Sequence, residues 1–351
     1  MTTLSVLDQS PIRRGGSPAT AIQETLLLAQ YAEKWGYHRY WLAEHHSSRS
    51  LASASPELLI GEIANRTDHI RVGSGGVMLS HYSPLKVAET FRMLEALHPG
   101  RIDLGIGRAP GSDGRTAAAL AHGPGALGIE HFPEQIAELT GFITNDMPEN
   151  HPWRAVRAMP DGPDTPELWL LGSSTEGGAF AAHFGWAFSF AHFISPEGGE
   201  AVVRDYFARF QPSPLLPEPR ANIGVSVTCA ETAEEAELMG WSRWCSRILG
   251  FRNEQMGIVP PEEARDFLYT PREREYIDYQ RSKAVYGTPE QVRDKLEELG
   301  RRYGVDELVV LTVVYDFAAR LRSYELLARA FGIRPSERSE TAPESFPVPI
   351  E

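Results

Sequence analysis

A (β/α)8 barrel, the TIM-barrel architecture, is the fold class this chain predicts, and three observations predict it. Eight short apolar runs alternate with amphipathic helical stretches. Helix starts are punctuated by Ser-Pro and Thr-Pro pairs. The 351 residues exceed the about 250 such a barrel requires, which leaves room for insertions and a tail.

The apolar runs are LSVLDQS at 4–10, HRYWLAEHH at 38–46, IRVGSGGVML at 70–79, RIDLGIG at 101–107, LWLLGSS at 168–174, WAFSFAHFI at 186–194, NIGVSVTCA at 222–230 and ELVVLTVVY at 307–315. Near-continuous apolarity, rather than strict alternation, marks parallel strands buried on both faces. Ser55-Pro56-Glu57, Ser83-Pro84 and Ser195-Pro196-Glu197 each read as a serine cap before a proline in the first helical turn. Thr288-Pro289-Glu290-Gln291 reads as a capping box. Insertions are expected after strands 4 and 7, at 146–166, which is proline-rich and aperiodic, and at 250–287, whose first part is a candidate lid. The barrel domain is expected over residues 1–333, followed by a disordered tail at 334–351 that has too little apolar content to pack. A doubly wound open sheet is the alternative, but it needs another account of eight strands.

A formal charge of −13 and no Lys/Arg-rich run argue against a nucleic-acid surface and for a small-molecule partner. Cys229 and Cys245 are too few for a disulfide framework and fit a reducing compartment. The N-terminus has neither the charged nor the apolar region of a leader, and no run reaches transmembrane length, so the cytoplasm is the expected location.

Barrel active sites form at the C-terminal ends of strands, so the residues closing each run are the candidates. Glycine weakens a strand interior, so Gly73, Gly75 and Gly76, with Gly105 and Gly107 next door, point to a bulge or to a ligand lying against bare backbone, against simple relief of crowding. The second run ends Glu44-His45-His46, and strand alternation turns His45 to one face and its neighbours to the other. His45 there is either a general acid or base or a histidine bridging strands. A metal site is a poor reading, because adjacent strand residues diverge and no complementary ligand cluster is evident. Ser173, Ser174, Gly177 and Gly178 precede a helical stretch and offer free N–H groups to a phosphate, or are an ordinary helix cap. Arg108 neutralises that phosphate or is a solvated arginine. Phe188, Phe190, His192 and Phe193 are core on one reading; on the other, Phe190, His192 and Phe193 line a substrate pocket.

Taken together, EHHSS, VGSGGVMLSHYSPL, HPGRIDLGIGRAPGSD, LLGSS and VYDFAARLRSYEL resemble the bacterial luciferase-like family of flavin-dependent monooxygenases, from about residue 4 to about 331. The likeness is strongest to the single-chain branch with a Gly-Arg-Ala-Pro-Gly signature, here Gly107 to Gly111. The resemblance implies FMN at the C-terminal mouth of the barrel, a bulge with a non-proline cis peptide at Gly75-Gly76 behind the flavin ring, a catalytic His45, and a phosphate held by Arg108, Ser173 and Ser174. Relatives commonly carry a further hydroxyl where this chain has Gly177, leaving the backbone N–H groups of Gly177 and Gly178 for that contact. It further implies reduced FMN delivered by a separate NAD(P)H-dependent reductase, reaction with O2 to a peroxyflavin, and oxygen transfer to a small organic substrate. No GxGxxG stands at a strand-to-helix turn, which fits a chain without its own dinucleotide site. Family members pair as homodimers through the second and third helices, here PELLIGEIANRT and LKVAETFRMLEALH. Two other activities fit the same motifs: hydride transfer with the deazaflavin coenzyme, and flavin binding without turnover.

Overall fold

The computed structural model describes residues 2–109, 111–120, 128–252, 254 and 257–334; most of the expected tail lies outside them. Among the described residues ten strands form: β1 (Thr3–Asp8), β2 (Arg39–Leu42), β3 (Arg71–Ser74), β4 (Val77–Met78), β5 (Ile102–Gly107), β6 (Glu167–Gly172), β7 (Ala187–Phe190), β8 (Ala221–Cys229), β9 (Val285–Gly287) and β10 (Glu307–Leu311). Eight of them pair in parallel in the order β10-β1-β2-β3-β5-β6-β7-β8, and β10 pairs β8 to close the barrel. The closed parallel barrel is the (β/α)8 architecture predicted above. β4 continues the third staircase against β5, and β9 adds to the end of β8.

The helices that cover the strands are α1 (Pro18–Trp35), α2 (Pro56–Arg66), α3 (Pro84–Leu97), α4 (Gly114–Leu120), α5 (Phe132–Thr144), α6 (Thr175–Phe184), α7 (Gly199–Arg209), α8 (Ala233–Phe251), α9 (Pro261–Asp266), α10 (Pro271–Lys283), α11 (Pro289–Tyr303) and α12 (Phe317–Phe331). Thr288 and Gln291 form the expected reciprocal capping box at α11, and Thr270 with Glu273 forms a second at α10. Ser55 and Ser83 precede the prolines that open α2 and α3, but neither side chain accepts a cap bond. Ser195-Pro196 opens no helix, because the chain first turns through Gly198 at φ 74° and α7 starts after it.

α11 shows why these helices pack: Val292, Leu296, Leu299 and Tyr303 recur on one stripe and are buried, while the opposite face is charged. Such stripes fill one apolar layer between strands and helices. A second layer fills the barrel interior, with Leu7, Trp41, Trp169, Val309 and Leu311. Between α5 and β6 runs the long connection; Arg92, 3% exposed, fixes it by donating to the carbonyls of Ile143, Pro160 and Gly162. Between α8 and α11 the chain forms α9, α10 and β9, and the tryptophans Trp241 and Trp244 hold α8 to them.

The N-terminal end of the barrel is closed by charge. Arg39, 1% exposed, donates to Asp103 at 2.8 Å, Glu167 at 3.0 Å and Glu307 at 2.7 Å. Asp103 also accepts from Arg71 at 2.6 Å and from the Trp41 indole at 2.8 Å, and the Arg39 guanidinium lies 4.8 Å from the Trp169 ring centre. Every charge in this layer has a partner, which is the condition under which buried ions are tolerated.

Candidate active site

At the opposite end the strands open into a cavity of about 640 Å³. Its walls come from the C-terminal ends of β2, β5, β6 and β10 and from the turn between β3 and β4, so it occupies the place that barrel geometry reserves for chemistry.

The turn after β3 is a bulge. Gly73 pairs Asp103, yet Val77 pairs Ile106, so the β3 side carries one extra residue. Within it the Gly75-Gly76 peptide is cis. Both glycines line the cavity, and protein as well as ligand explains them: a Cβ on Gly75 would stand 2.7 Å from Leu7, and one on Gly76 would stand 2.8 Å from the Gly105 carbonyl oxygen. Gly73 and Gly105 are required by the same crowding, since their Cβ atoms would strike the carbonyl oxygens of Asp103 and Ser74. Ser74 ties the bulge to β5, its hydroxyl donating to the Gly105 carbonyl at 2.8 Å and accepting from the Gly105 N–H at 3.0 Å.

Past the end of β2 the chain is no longer a strand, and Glu44 and His45 both line the cavity while His46 does not, so the expected alternation holds only in part. His45 lines the cavity, with a buried Nδ1 that has no hydrogen-bond partner. Burial, with the neighbouring His46 contributing, depresses its pKa to about 4, so the ring is neutral at neutral pH. The other arm is a network that sequence reasoning did not assign. Glu44, 2% exposed, lies 2.6 Å from His46 Nε2 and accepts from the Tyr82 hydroxyl at 2.8 Å and the Met78 N–H at 3.1 Å. Glu44 thereby locks β2 to β4 and fixes the bulge from behind. Among the described residues no three His, Cys, Asp or Glu side chains converge as a metal site.

Across the cavity, β6 ends at Ser173 and Ser174, and α6 begins. Ser174 is the N-cap, its hydroxyl accepting from the Gly177 N–H at 3.5 Å, and Ser173, Ser174 and Gly177 all line the cavity. Arg108, just past β5, lines it too and pairs with Glu176 of the first turn of α6 at 2.5 Å. A free guanidinium face, two hydroxyls and a helix N-terminus thus share one corner, the arrangement that binds a phosphate. Gly178 is not part of it: it is buried, its N–H turns back to the Ser174 carbonyl, and a Cβ there would meet Val202 of α7.

On β7 and its extension the cavity takes Ser189, Ala191 and Phe193. Phe190 and His192, expected in the pocket beside Phe193, face the other way. Phe190 is 1% exposed in the layer beneath the helices, and His192 Nδ1 is 2.8 Å from the Tyr303 hydroxyl of α11. Within β7, alternation puts Ser189 inward and Phe190 outward. Past its end the chain turns, the Phe193 N–H bonding to the Gly224 carbonyl, and the turn brings Phe193 and Ile194 to the cavity while His192 faces α11. Two arginines of α8, Arg243 and Arg247, complete the wall; nothing in the sequence marked them. The expected lid at 250–270 is described only in part; of its described residues, Ile258 reaches the cavity.

Among the described residues no helix is long and apolar enough to cross a membrane. A family model described as luciferase-like monooxygenase matches residues 2–307. The uncharacterized protein YwcH of Bacillus subtilis is 46% identical over 94% of this chain and 99% of its own length. The N-acetyl-S-alkylcysteine monooxygenase of the same organism is 38% identical over 94% of this chain and 98% of its own. The crystal structure of apo-MsnO8 superimposes with a TM-score of 0.86 at 38% identity, covering 96% of this chain and all of that one. The geometry at the barrel mouth and these likenesses agree: the chain belongs to the luciferase-like monooxygenase family.

Proposed function

We propose that the protein is a flavin-dependent monooxygenase that uses reduced FMN and O2 to oxidise a small organic substrate. One observation carries this reading. A single cavity gathers a bulge of bare backbone, a neutral imidazole and a phosphate-type corner, three features that a flavin mononucleotide would use. The fit to the residues present is good. Arg108, Ser173, Ser174 and the Gly177 N–H would hold the phosphate, Glu176 giving up its guanidinium partner, and Gly75-Gly76 would back the ring. When bound, reduced flavin supplies the electrons that activate O2.

The chain's own residues then have separable tasks. His45, neutral because it is desolvated, accepts a proton at one ring nitrogen or gives one from the other without first titrating. Trp41, Leu171, Phe193 and Val313 give the cavity an apolar wall that keeps water from the reacting atoms. Glu44 holds the bulge in register and positions β4. Electrons come from a separate NAD(P)H-dependent reductase in this reading, and the active form is a homodimer paired through α2 and α3.

The test is anaerobic titration of the protein with reduced FMN, then mixing with O2 while the flavin absorbance is followed. Saturable binding and an oxygen-dependent phase slower than free-flavin oxidation support the proposal. Binding with immediate reoxidation makes the protein a flavin carrier, and binding of deazaflavin but not FMN makes it a hydride-transfer enzyme. His45→Ala should retain FMN affinity and lose oxygen transfer; an unchanged transfer rate removes His45 from the chemistry.

A further inference from the structure

The cavity has a second cationic pole. Arg243, Ser246 and Arg247 stand at i, i+3 and i+4 on α8, so they share the helix face that lines the cavity, while Trp244, Cys245 and Ile248 pack the helix against α9 and α10. Arg247 is half satisfied: its Nη1 donates to Gln280 of α10 at 2.8 Å, a neutral partner. Arg243 has no hydrogen bond and no ion pair among the described residues, in a protein that carries a net charge of −13 and supplies carboxylates to most of its other guanidinium groups. Burial and the adjacent Arg247 pull its pKa down, as expected of a cation lacking a counter-charge, and a guanidinium stays protonated there regardless.

The acidic side of the cavity offers no relief. Glu44 is the carboxylate among its described lining residues, and its oxygens are taken by Tyr82, Met78 and His46. Arg108, the other lining cation, belongs to the corner at α6 and already has Glu176. Going round the barrel from β5 to β8 passes β6 and β7, so the two cationic poles stand on different walls.

We infer that Arg243, supported by Arg247, is an anion-recognition subsite that takes the carboxylate of an organic-acid substrate whose apolar body lies in the same cavity. This rests on the reading of the cavity as the place where flavin and substrate meet. A planar guanidinium fork matches a carboxylate bidentately, and the apolar wall fits an aliphatic or thioether body. The subsite orients the substrate: the acid is held at α8, and the far end is carried toward His45 and the bulge.

The experiment is calorimetric binding of straight-chain carboxylates from butanoate to decanoate, each paired with its neutral amide, to the full chain. Each is measured without flavin and again with FMN present. The expected result is that the best carboxylate binds at least tenfold tighter than its amide, that Arg243→Gln removes the difference, and that Arg243→Lys restores part of it. FMN affinity should be unchanged in Arg243→Gln. Equal binding of acid and amide, absence of binding by every carboxylate, or a preference that survives Arg243→Gln overturns the inference. A loss of FMN affinity in Arg243→Gln also overturns it, assigning the pole to the flavin instead. Because the preference is read on the flavin-free protein, failure of the flavin reading shows separately, as absent FMN binding.

Discussion

Replacing His45 by Asn should flatten the acid limb of stability. In the folded chain the imidazole resists protonation down to about 4, whereas an exposed histidine takes its proton near 6.5. Between those values the unfolded chain holds more protons, so stability falls as pH drops through the window, and the loss levels off below about 4. At about 1.4 kcal/mol per pH unit, the wild-type chain should lose about 2 kcal/mol through this one group between pH 7 and 5, and about 3 kcal/mol by pH 4. His192 is depressed to about 4 by burial as well, but it titrates equally in both proteins and cancels in the difference. The assay is urea unfolding followed by tryptophan fluorescence at several pH values from 5 to 7. The gap between wild type and His45→Asn should narrow by about 2 kcal/mol as pH falls. Parallel curves would mean that His45 is solvated and charged like a surface histidine, and the neutral-imidazole argument would fail with them.

Arg108→Met should weaken FMN binding about tenfold, the low end for a charge-assisted contact because the side chain is 38% exposed, whereas Glu176→Gln should tighten it severalfold by freeing Arg108; fluorescence titration reads both. Glu44→Gln should lower the unfolding free energy from urea denaturation by about 2–3 kcal/mol, since a buried carboxylate that serves two donors and His46 is replaced by an amide. Gly105→Ala puts a Cβ 2.2 Å from the Ser74 carbonyl oxygen, so it should cost more than about 3 kcal/mol or prevent folding; Gly114→Ala, which meets nothing, should stay within about 0.5 kcal/mol in the same melt.

The barrel was legible in the sequence because its strands are buried on both faces, which makes apolar runs that no amphipathic helix imitates. His45 was legible because it closes an apolar run at the catalytic end of the barrel, and the structure puts it on the cavity wall. The expected separation holds for His46 but not for Glu44, which lines the cavity too because the chain has left the strand after Leu42. On β7 alternation sorts Ser189 from Phe190, but His192 and Phe193 lie in the turn that follows, whose course the sequence did not show. What pairs with Glu44 could not be read, because Tyr82 and Met78 reach it only through the bulge. Arg243 and Arg247 were hidden more deeply. A helix shows which residues share a face, but the tertiary packing of Trp241 and Trp244 decides which face meets the cavity.

Trp41 forms part of the cavity floor on one side and donates to Asp103 of the ionic layer on the other, so the barrel is stoppered below. Traffic through such a vessel obeys a queue. Whatever lies deepest must arrive first and leave last, and a molecule that docks near the rim holds in everything beneath it. Order of addition, measured as which ligand traps the other, is therefore written into the closed end of the barrel rather than into the residues that touch either ligand.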